Sequence, residues 1–217
     1  KKVCIISGGK FEQFKMQVID RLSAQIGHLN NLHMLPTCGT RYYVYDQDND
    51  KWNLQYAEDL PKEQRAEIIK SVEVEAKALG MWSDKTWGNI MEDRISQITY
   101  SALGQQAPPD EKYKLADDNK ENKKILREKL AEKFPNLEVR LGGSTSIDIT
   151  RPGIDKAYGM KKIIEALGIS KADILFIGDK LEVGGNDFPV KAMGIDTIAV
   201  ERWEDTALIV ETIIKTN

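Results

Sequence analysis

Short apolar runs that end at a glycine constrain the fold of this 217-residue chain more than any other feature. Residues 3–6 (VCII) lead into the turn Ser-Gly-Gly, and residues 172–179 (ADILFIGD) end in Gly-Asp. Continuous runs of this kind are typical of strands covered on both faces in a parallel sheet. The first run is followed by a helical spacing of apolar residues from Phe11 through Val18 and Leu22 to Ile26. A strand, a glycine turn and a helix in that order make half of a βαβ unit.

The spacing of apolar residues changes in the middle of the chain. Alternating apolar residues on both sides of DQDND (46–50) predict a hairpin, and alternation within 90–104 predicts a second strand pair. Helices are predicted from Pro61 to Gly80 and over about 120–133, whereas 105–120 is interpreted as a polar connection. We therefore expect an α/β domain with a parallel sheet, built from residues 1–54 and 153–217, and an inserted antiparallel α+β domain at 55–152.

Composition excludes several classes of protein. The chain has 31 Lys and Arg against 34 Asp and Glu, so it lacks the basic surface that sequence-independent nucleic-acid binding needs. No apolar stretch approaches the roughly 20 residues of a membrane helix. Two cysteines make neither a disulfide framework nor a four-ligand zinc site. We expect a cytoplasmic protein with no nucleic-acid or membrane partner.

The most informative stretch for chemistry is residues 174–187 (ILFIGDKLEVGGND). Gly178 allows a tight turn and brings Asp179 to the carboxyl end of the strand, where open α/β sheets bind their ligands. Asp187 follows eight residues later, behind two glycines and Asn186. Two carboxylates and an amide oxygen suit Mg²⁺ beside a phosphate. The alternative is an ordinary strand-to-helix turn in which an aspartate caps the next helix.

Two further positions are suited to binding a phosphate. Ser7 and Gly8 follow the first strand, where a hydroxyl and backbone N–H groups can hold phosphate oxygens. Lys156 lies at the start of a predicted helix, where a cation is mildly unfavourable unless it has an anionic partner. Each signal is weak alone, because turns with serine and glycine are common and most lysines are simply solvated.

Together these elements resemble the motifs of the haloacid dehalogenase (HAD) superfamily, subfamily IIB. Ser7 matches the second motif, Lys156 the third, and Asp179 with Asp187 the fourth. The segments GGSTSID, GIDKAYGM and GDKLEVGGND are similar in order and spacing to eukaryotic-type phosphomannomutases and related bacterial sugar phosphatases. The resemblance implies a HAD-like Rossmannoid core with an inserted cap domain, and Mg²⁺ as cofactor.

The resemblance also implies roles for the residues of the core. Asp179 would bind the metal. Asp187 would not bind the metal itself but would orient the metal site. Lys156 would neutralise the nucleophile and the phosphate. Ser7, with Gly8 beside it, would hold the phosphoryl group during transfer.

In the cap, the resemblance implies contacts to the sugar and to a second phosphate. Ser146 and Asp148 alternate on a predicted strand, share one face, and match residues that contact the sugar. Arg94 matches a phosphate-binding arginine, whereas Gln105 and Lys112 stand at the next two such positions. Replacing guanidinium groups weakens bidentate phosphate binding, which favours a hydrolase over a mutase.

The nucleophile of that family is missing from this sequence. An Asp-x-Asp-Gly-Thr motif should end a strand well before Ser7, but six residues precede Ser7. Asp-x-Asp occurs within residues 46–50, where Asp46-Gln47-Asp48 is followed by Asn, and we interpret it as turn chemistry. The missing strand is central in the family's sheet. We expect either that this chain lacks its natural N-terminus or that another chain or a rearranged sheet fills the gap.

The expected function is a Mg²⁺-dependent phosphohydrolase that acts on a phosphorylated small molecule, a sugar phosphate, through an aspartyl-phosphate. One alternative is a phosphomannomutase-like mutase. Another is a catalytically silent protein that binds sugar phosphates. A homodimer formed through the cap is a further expectation.

Overall fold

The computed structural model describes residues 1–22, 26–142 and 145–216. Ten strands and seven α-helices are assigned within these residues. In chain order they are β1 (Val3–Ile6), α1 (Phe11–Gln17), β2 (Leu32–Leu35), β3 (Arg41–Asp46), β4 (Lys51–Ala57), α2 (Lys62–Ala78), β5 (Met91–Asp93), β6 (Gln97–Ser101), α3 (Pro109–Asp118), α4 (Lys120–Lys133), β7 (Glu138–Leu141), β8 (Ser146–Thr150), α5 (Lys156–Leu167), β9 (Leu175–Gly178), α6 (Phe188–Ala192), β10 (Asp196–Ala199) and α7 (Trp203–Thr216).

The two ends of the chain form two sheets. β1 pairs in parallel with β2, which continues through antiparallel β3 and β4, while β9 pairs in parallel with β10 in a separate two-stranded sheet. One apolar cluster joins the sheets, because it contains Leu35 of β2, Met160 of α5 and Phe176 of β9. The predicted α/β class is therefore confirmed, with parallel pairing at the strands that the glycine-ended runs predict.

The segment between these ends forms its own antiparallel sheet in the order β5-β6-β8-β7. The apolar stripe of α2 packs on it together with α4. The shared core contains Ile68, Val72, Ala76, Ile98, Tyr100, Leu126, Leu130, Ile147 and Ile149. This layer matches the predicted α+β insertion. The boundaries at 54/55 and 152/153 stay a prediction, and β4 continues past the first of them to Ala57.

The structure corrects two predictions about helices. The helix that begins at Phe11 ends at Gln17, and a short 3₁₀ turn over Ile19–Arg21 follows it. Residues 105–120 are not simply a connection, since α3 begins at Pro109 within them. Proline suits the first helical position, and Asp110 and Glu111 favour the first turn through the helix dipole.

The hairpin turn at 46–50 is confirmed. Asp46 Oδ1 accepts hydrogen bonds from the backbone N–H groups of Asp48 (3.1 Å) and Asn49 (3.2 Å), so this carboxylate closes an Asx-type turn. None of the helices in the described ranges is long and apolar enough to cross a membrane.

Candidate active site

A buried ion pair lies where α5 begins and β9 ends. Lys156 Nζ donates to Asp187 Oδ1 at 2.5 Å, and the backbone N–H of Lys180 donates to Asp187 Oδ2 at 3.0 Å. The side chain of Asp187 is 1% exposed and that of Lys156 is 13% exposed. A Cβ atom on Gly178 would lie 2.7 Å from Asp187 Oδ2, so glycine is required for this approach. Both carboxylate oxygens of Asp187 are therefore engaged by the protein.

Asp179 has a different environment from Asp187. It directly follows β9, its side chain is exposed, and no hydrogen bond or ion pair engages its carboxylate within the described residues. Those residues also contain no group of three or more His, Cys, Asp or Glu side chains placed to hold a metal ion. Mg²⁺ takes six oxygen ligands and usually keeps waters beside one or two carboxylates and a substrate phosphate. Asp179 therefore fits as one carboxylate ligand of such an ion, and the described residues supply only part of the ligand set.

The turn after β1 is held rigidly. Ser7 Oγ accepts from the backbone N–H of Gly9 (3.2 Å), and the Ser7 carbonyl accepts from the N–H of Cys38 (2.9 Å). The N–H of Thr37 donates to the Gly9 carbonyl (2.9 Å). Cys38 adopts a left-handed conformation (φ 56°) to make this approach. The loop after β2 thus fixes Ser7 and Gly8 at the carboxyl end of β1.

Arg94 connects the inserted layer to this turn. Its Nη1 donates to the Gly8 carbonyl at 2.8 Å, while Nε and Nη2 donate to Glu92 Oε2 at 3.0 and 2.7 Å. Its side chain is 9% exposed. Arg94 and Ser7 also line one cleft of about 290 Å³, together with Ile5, Gly9, Gln13, Phe14, Gln17 and Val18. The structure thus brings Arg94 to the predicted phosphate turn, with its guanidinium already engaged.

Ser146 and Asp148 lie on the same face of β8, as predicted. Asp148 Oδ1 accepts from Gln97 Nε2 (2.9 Å) and Thr99 Oγ1 (2.7 Å), and both donors belong to β6. Sequence reasoning missed Gln97 and Thr99; the available signal was their alternation on a strand antiparallel to β8, where Thr99 pairs with Asp148. Ser144, which continues the same alternation, lies outside the described residues.

Lys123 also lies near the cap carboxylate. Its Nζ donates to the Gly142 carbonyl at 3.3 Å. Burial lowers the pKa of the Lys123 ammonium, and the Asp148 carboxylate partly offsets that effect. Sequence reasoning did not single out this lysine, because α4 carries many lysines with the same local pattern.

The Cys38 thiol lies within electrostatic range of charged groups from both the core and the cap. Burial raises the pKa of the Cys38 thiol to about 11. Lys156 of the core lowers that pKa and Asp148 of the cap raises it, so the Cys38 thiol senses both charges. Charges act strongly only over short distances in protein. Lys156 of the ion pair and Asp148 of β8 therefore both influence the Cys38 thiol.

Lys112 is placed apart from these contacts. Its Nζ donates to the backbone carbonyl of Gln105 at 2.8 Å. Within the described ranges, no hydrogen bond or ion pair joins Lys112 to Arg94, Ser146 or Asp148. The predicted substrate role of Lys112 stays a prediction.

The chain is similar to known proteins in sequence and in fold. The sequence matches the family model described as eukaryotic phosphomannomutase over residues 33–216. Phosphomannomutase of Saccharomyces cerevisiae is 33% identical over 110 residues, which are 49% of this chain and 42% of that protein. Phosphomannomutase of Encephalitozoon cuniculi is 30% identical over 135 residues, 59% of this chain and 51% of that protein. The chain spans about half the length of the curated relatives it matches.

Solved structures share the fold. A C-terminally truncated IMP-nucleotidase of Plasmodium falciparum has a TM-score of 0.63 at 14% identity, covering 100% of this chain and 62% of that one. A haloacid dehalogenase-like hydrolase from Bacteroides thetaiotaomicron has a TM-score of 0.54 at 12% identity, covering 82% and 68%. The fold is that of the HAD superfamily. Within it, the match over residues 33–216 means that the chain belongs to the eukaryotic phosphomannomutase family.

Proposed function

We propose that this protein binds a sugar phosphate with Mg²⁺ between the carboxyl ends of β1 and β9 and the polar face of β8, and that the complete site hydrolyses the phosphate ester. The observation that carries the proposal is the Lys156–Asp187 ion pair, buried beside an unengaged Asp179. Both oxygens of the buried Asp187 carboxylate are hydrogen-bonded, whereas the Asp179 carboxylate has no partner within the described residues. This arrangement suits a metal site in which Asp179 is the ligand and Asp187 is the orienting residue.

The proposed role of each residue follows from its contacts. Asp179 would hold Mg²⁺, and the ion would supply positive charge that offsets the phosphate charge. Asp187 holds Lys156 at the same edge of the sheet. Ser7 Oγ already accepts one hydrogen bond, and its own proton is directed to a phosphoryl oxygen. Asp148, oriented by Gln97 and Thr99, accepts hydrogen bonds from sugar hydroxyls.

The covalent step requires a nucleophilic aspartate, and none of the residues assigned above has that role. An aspartate oxygen attacks phosphorus, the bond from phosphorus to the sugar oxygen breaks, and the sugar leaves as an alcohol after taking up a proton. Water then attacks phosphorus, which releases inorganic phosphate and regenerates the carboxylate. Asp46 and Asp48 are unsuited to this role, because Asp46 closes the turn between β3 and β4. We therefore assign neither Asp46 nor Asp48 as the nucleophile of the proposed reaction.

The contacts of the cap support hydrolysis over phosphoryl transfer between two positions of a sugar. A mutase must hold a bisphosphate intermediate while it reorients. Here Arg94 is engaged by Glu92 and Gly8, and the next two family positions are Gln105 and Lys112. Membership in the phosphomannomutase family favours the second candidate, a phosphosugar mutase.

Product analysis separates the two candidates. The chain is fused to a strand that ends in Asp-x-Asp-Gly-Thr and incubated with mannose 1-phosphate and Mg²⁺, and the products are followed by ³¹P NMR. We expect inorganic phosphate, and we expect Asp179→Asn to slow its release by about 100-fold, in line with the loss of one electrostatic stabiliser. The matched control Asp196→Asn, at an exposed position that starts β10, should retain full activity. Formation of mannose 6-phosphate in the presence of a bisphosphate activator would contradict hydrolysis and support the mutase.

The cytoplasmic location and the homodimer through the cap stay predictions of the sequence.

A further inference from the structure

Two oppositely charged side chains lie next to each other on neighbouring strands of the inserted sheet. Arg140 of β7 is paired in register with Asp148 of β8. Such partners in an antiparallel pair have Cβ atoms about 5 Å apart and share one face of the sheet. That face is the polar one, because the intervening Val139 and Ile149 belong to the apolar core on the other face. Arg140 therefore lies beside the carboxylate that the proposed function assigns to the sugar.

The guanidinium of Arg140 is held in place, and one of its nitrogens stays available. Nε donates to Glu138 Oε1 at 2.7 Å, and Nη1 donates to the Ile154 carbonyl at 2.6 Å. The Glu138 carboxylate is fixed in turn, because its Oε2 accepts from the N–H of Gly153 at 2.9 Å. Within the described residues no hydrogen bond engages Nη2, and the side chain of Arg140 is 39% exposed. Arg140 therefore offers one oriented donor to a ligand.

The carboxylate of Asp148 is held in a corresponding way. Its Oδ1 accepts from Gln97 Nε2 at 2.9 Å and from Thr99 Oγ1 at 2.7 Å. In the part of the chain that the structure describes, no hydrogen bond engages Oδ2, and no ion pair joins this carboxylate to Arg140. Gly142 leaves Oδ2 uncovered, since a Cβ atom there would lie 3.1 Å from it. Asp148 therefore offers one oriented acceptor next to the donor of Arg140.

A donor beside an acceptor matches two hydroxyl groups on neighbouring carbons of a ligand. One hydroxyl accepts from the guanidinium and the other donates to the carboxylate, and hydrogen bonds to charged groups are the stronger kind. An anionic group is a poorer match, because Asp148 would repel it and Glu138 already offsets the charge of Arg140. Both protein groups are fixed before the ligand arrives, so binding loses little side-chain entropy.

The two side chains also lie close to the lysine of the proposed phosphate site. The carbonyl that Arg140 binds belongs to Ile154, two residues before Lys156. The Cys38 thiol lies within electrostatic range of Arg140, Asp148 and Lys156. This placement suits one small ligand with a phosphate at one end and hydroxyl groups at the other.

We propose that Arg140 and Asp148 form a hydroxyl-binding pair, the Arg140–Asp148 pair, that selects phosphate monoesters whose neutral part carries two adjacent hydroxyl groups. Arg140 lies outside the motifs that the sequence singles out, and its place beside Asp148 is set by strand register. The proposal rests on the proposed function for the position of the phosphate, and it adds the group by which the sugar is chosen.

NMR titration of residues 1–217 with matched probes tests the pair. In the presence of Mg²⁺, mannose 1-phosphate is compared with cyclohexyl phosphate, whose ring has no hydroxyl groups. We expect mannose 1-phosphate to bind about tenfold more tightly, as hydrogen bonds to charged groups allow. Arg140→Met should remove that difference, and Arg202→Met, at an exposed arginine, should keep it. Arg140→Lys should restore little, because an ammonium does not reproduce the fixed planar fork.

Three outcomes would overturn the pair. Equal affinity of the two probes would mean that the hydroxyl groups are not recognised. Equal weakening of both probes by Arg140→Met would mean that this arginine only holds the backbone at Ile154. Tighter binding of mannose 1,6-bisphosphate that Arg140→Met abolishes would mean that Arg140 binds an anionic group.

The pair and the proposed function fail in different ways. Binding of both probes with equal affinity overturns the pair and leaves the phosphate site standing. If neither probe binds in a Mg²⁺-dependent way, the phosphate site fails, and a titration with mannose alone tests the pair. We then expect mannose to shift the amide signals of β7 and β8 in the parent chain and not in Arg140→Met. No shift in the parent chain would contradict the pair as well.

Discussion

Asp187 forms the buried ion pair on which the proposed site depends. Its carboxylate is buried, and Lys156 is the cation that contacts it in the described structure. Removing one partner of a buried pair leaves an uncompensated charge. We expect Lys156→Met to lower the free energy of unfolding by about 3 kcal/mol in urea denaturation. The double variant Lys156→Met/Asp187→Asn should recover part of that loss.

The matched control for this ion pair is Lys215→Met. Lys215 pairs with Glu211 on α7 at 2.6 Å, with side chains 70% and 58% exposed. Exposed pairs contribute less than about 1 kcal/mol, so this variant should be nearly neutral. If Lys156→Met is as mild as the control, the ion pair does not organise the site.

A second residue-scale prediction concerns acid stability. His33 is buried, its Nδ1 lies 2.7 Å from the Tyr42 hydroxyl, and burial lowers the pKa of its imidazole, with Lys2 adding to the effect. The unfolded chain therefore binds this proton first, and stability falls as pH drops through about 6.5. We expect His33→Asn to lose less stability than the parent protein between pH 7.5 and 5.5 in urea titrations. An unchanged pH dependence would contradict this assignment.

At the residue scale the sequence predicts part of the site. The sequence places Lys156 at a helix start and Asp187 shortly after a strand end, but it does not predict that their side chains pair. Gln97 and Thr99 could not be predicted, because their role depends on the register of β6 against β8. Register is set by tertiary pairing, and a slip of one residue would turn both side chains away from Asp148.

At the scale of elements, α5 packs unusually closely on β1. A Cβ atom on Gly159 would overlap the side chain of Ile6 and the backbone carbonyl of Cys38. Overpacking of this kind costs about 1–3 kcal/mol, and a backbone group cannot move aside cheaply. We expect Gly159→Ala to reduce the urea midpoint by that amount. Lys161→Ala, at an exposed position of the same helix, should have little effect, and equal effects would argue against close packing.

The elements themselves are largely predictable where apolar periodicity is long. α2 and α4 follow their predicted stripes and pack on one sheet. α1 is shorter than its pattern, because Val18, Ile19 and Leu22 continue the spacing while the backbone leaves the helix at Val18 (φ −122°, ψ −65°). The polar composition of 105–120 does not predict α3, although proline suits the first helical turn.

At the scale of the whole molecule, three buried hydroxyls connect the core to the inserted layer. Thr40 Oγ1 donates to Ser96 Oγ at 2.7 Å, and Ser96 Oγ donates to Thr37 Oγ1 at 3.0 Å. Removing one hydroxyl leaves buried groups without a partner, which costs about 1–3 kcal/mol. We expect Ser96→Ala to lose stability by that amount. Ser83 is half-buried and its hydroxyl makes only local contacts to Lys85, so Ser83→Ala should be nearly neutral. Neutral behaviour of both variants would contradict the role of the hydroxyls.

The overall architecture follows from the sequence, but the number of strands that pair with β1 and β9 does not. The alternation of strand and helix at both ends predicts the α/β layers, and the change of period predicts the insertion. Within the described residues β1 and β9 each pair with one strand, and this is visible only in the structure, because a fully apolar run has the same pattern whether one or two neighbours pair with it.

The binding of mannose 1-phosphate to residues 1–217, measured by isothermal titration calorimetry, tests the central claim most directly. The claim is that Asp179 and the Lys156–Asp187 pair form a Mg²⁺-dependent phosphate site. We expect binding to be at least tenfold tighter with Mg²⁺ than without it, and we expect Asp179→Asn to remove that difference while Asp196→Asn keeps it. Equal affinity with and without Mg²⁺, or full Mg²⁺ dependence in Asp179→Asn, would contradict the claim.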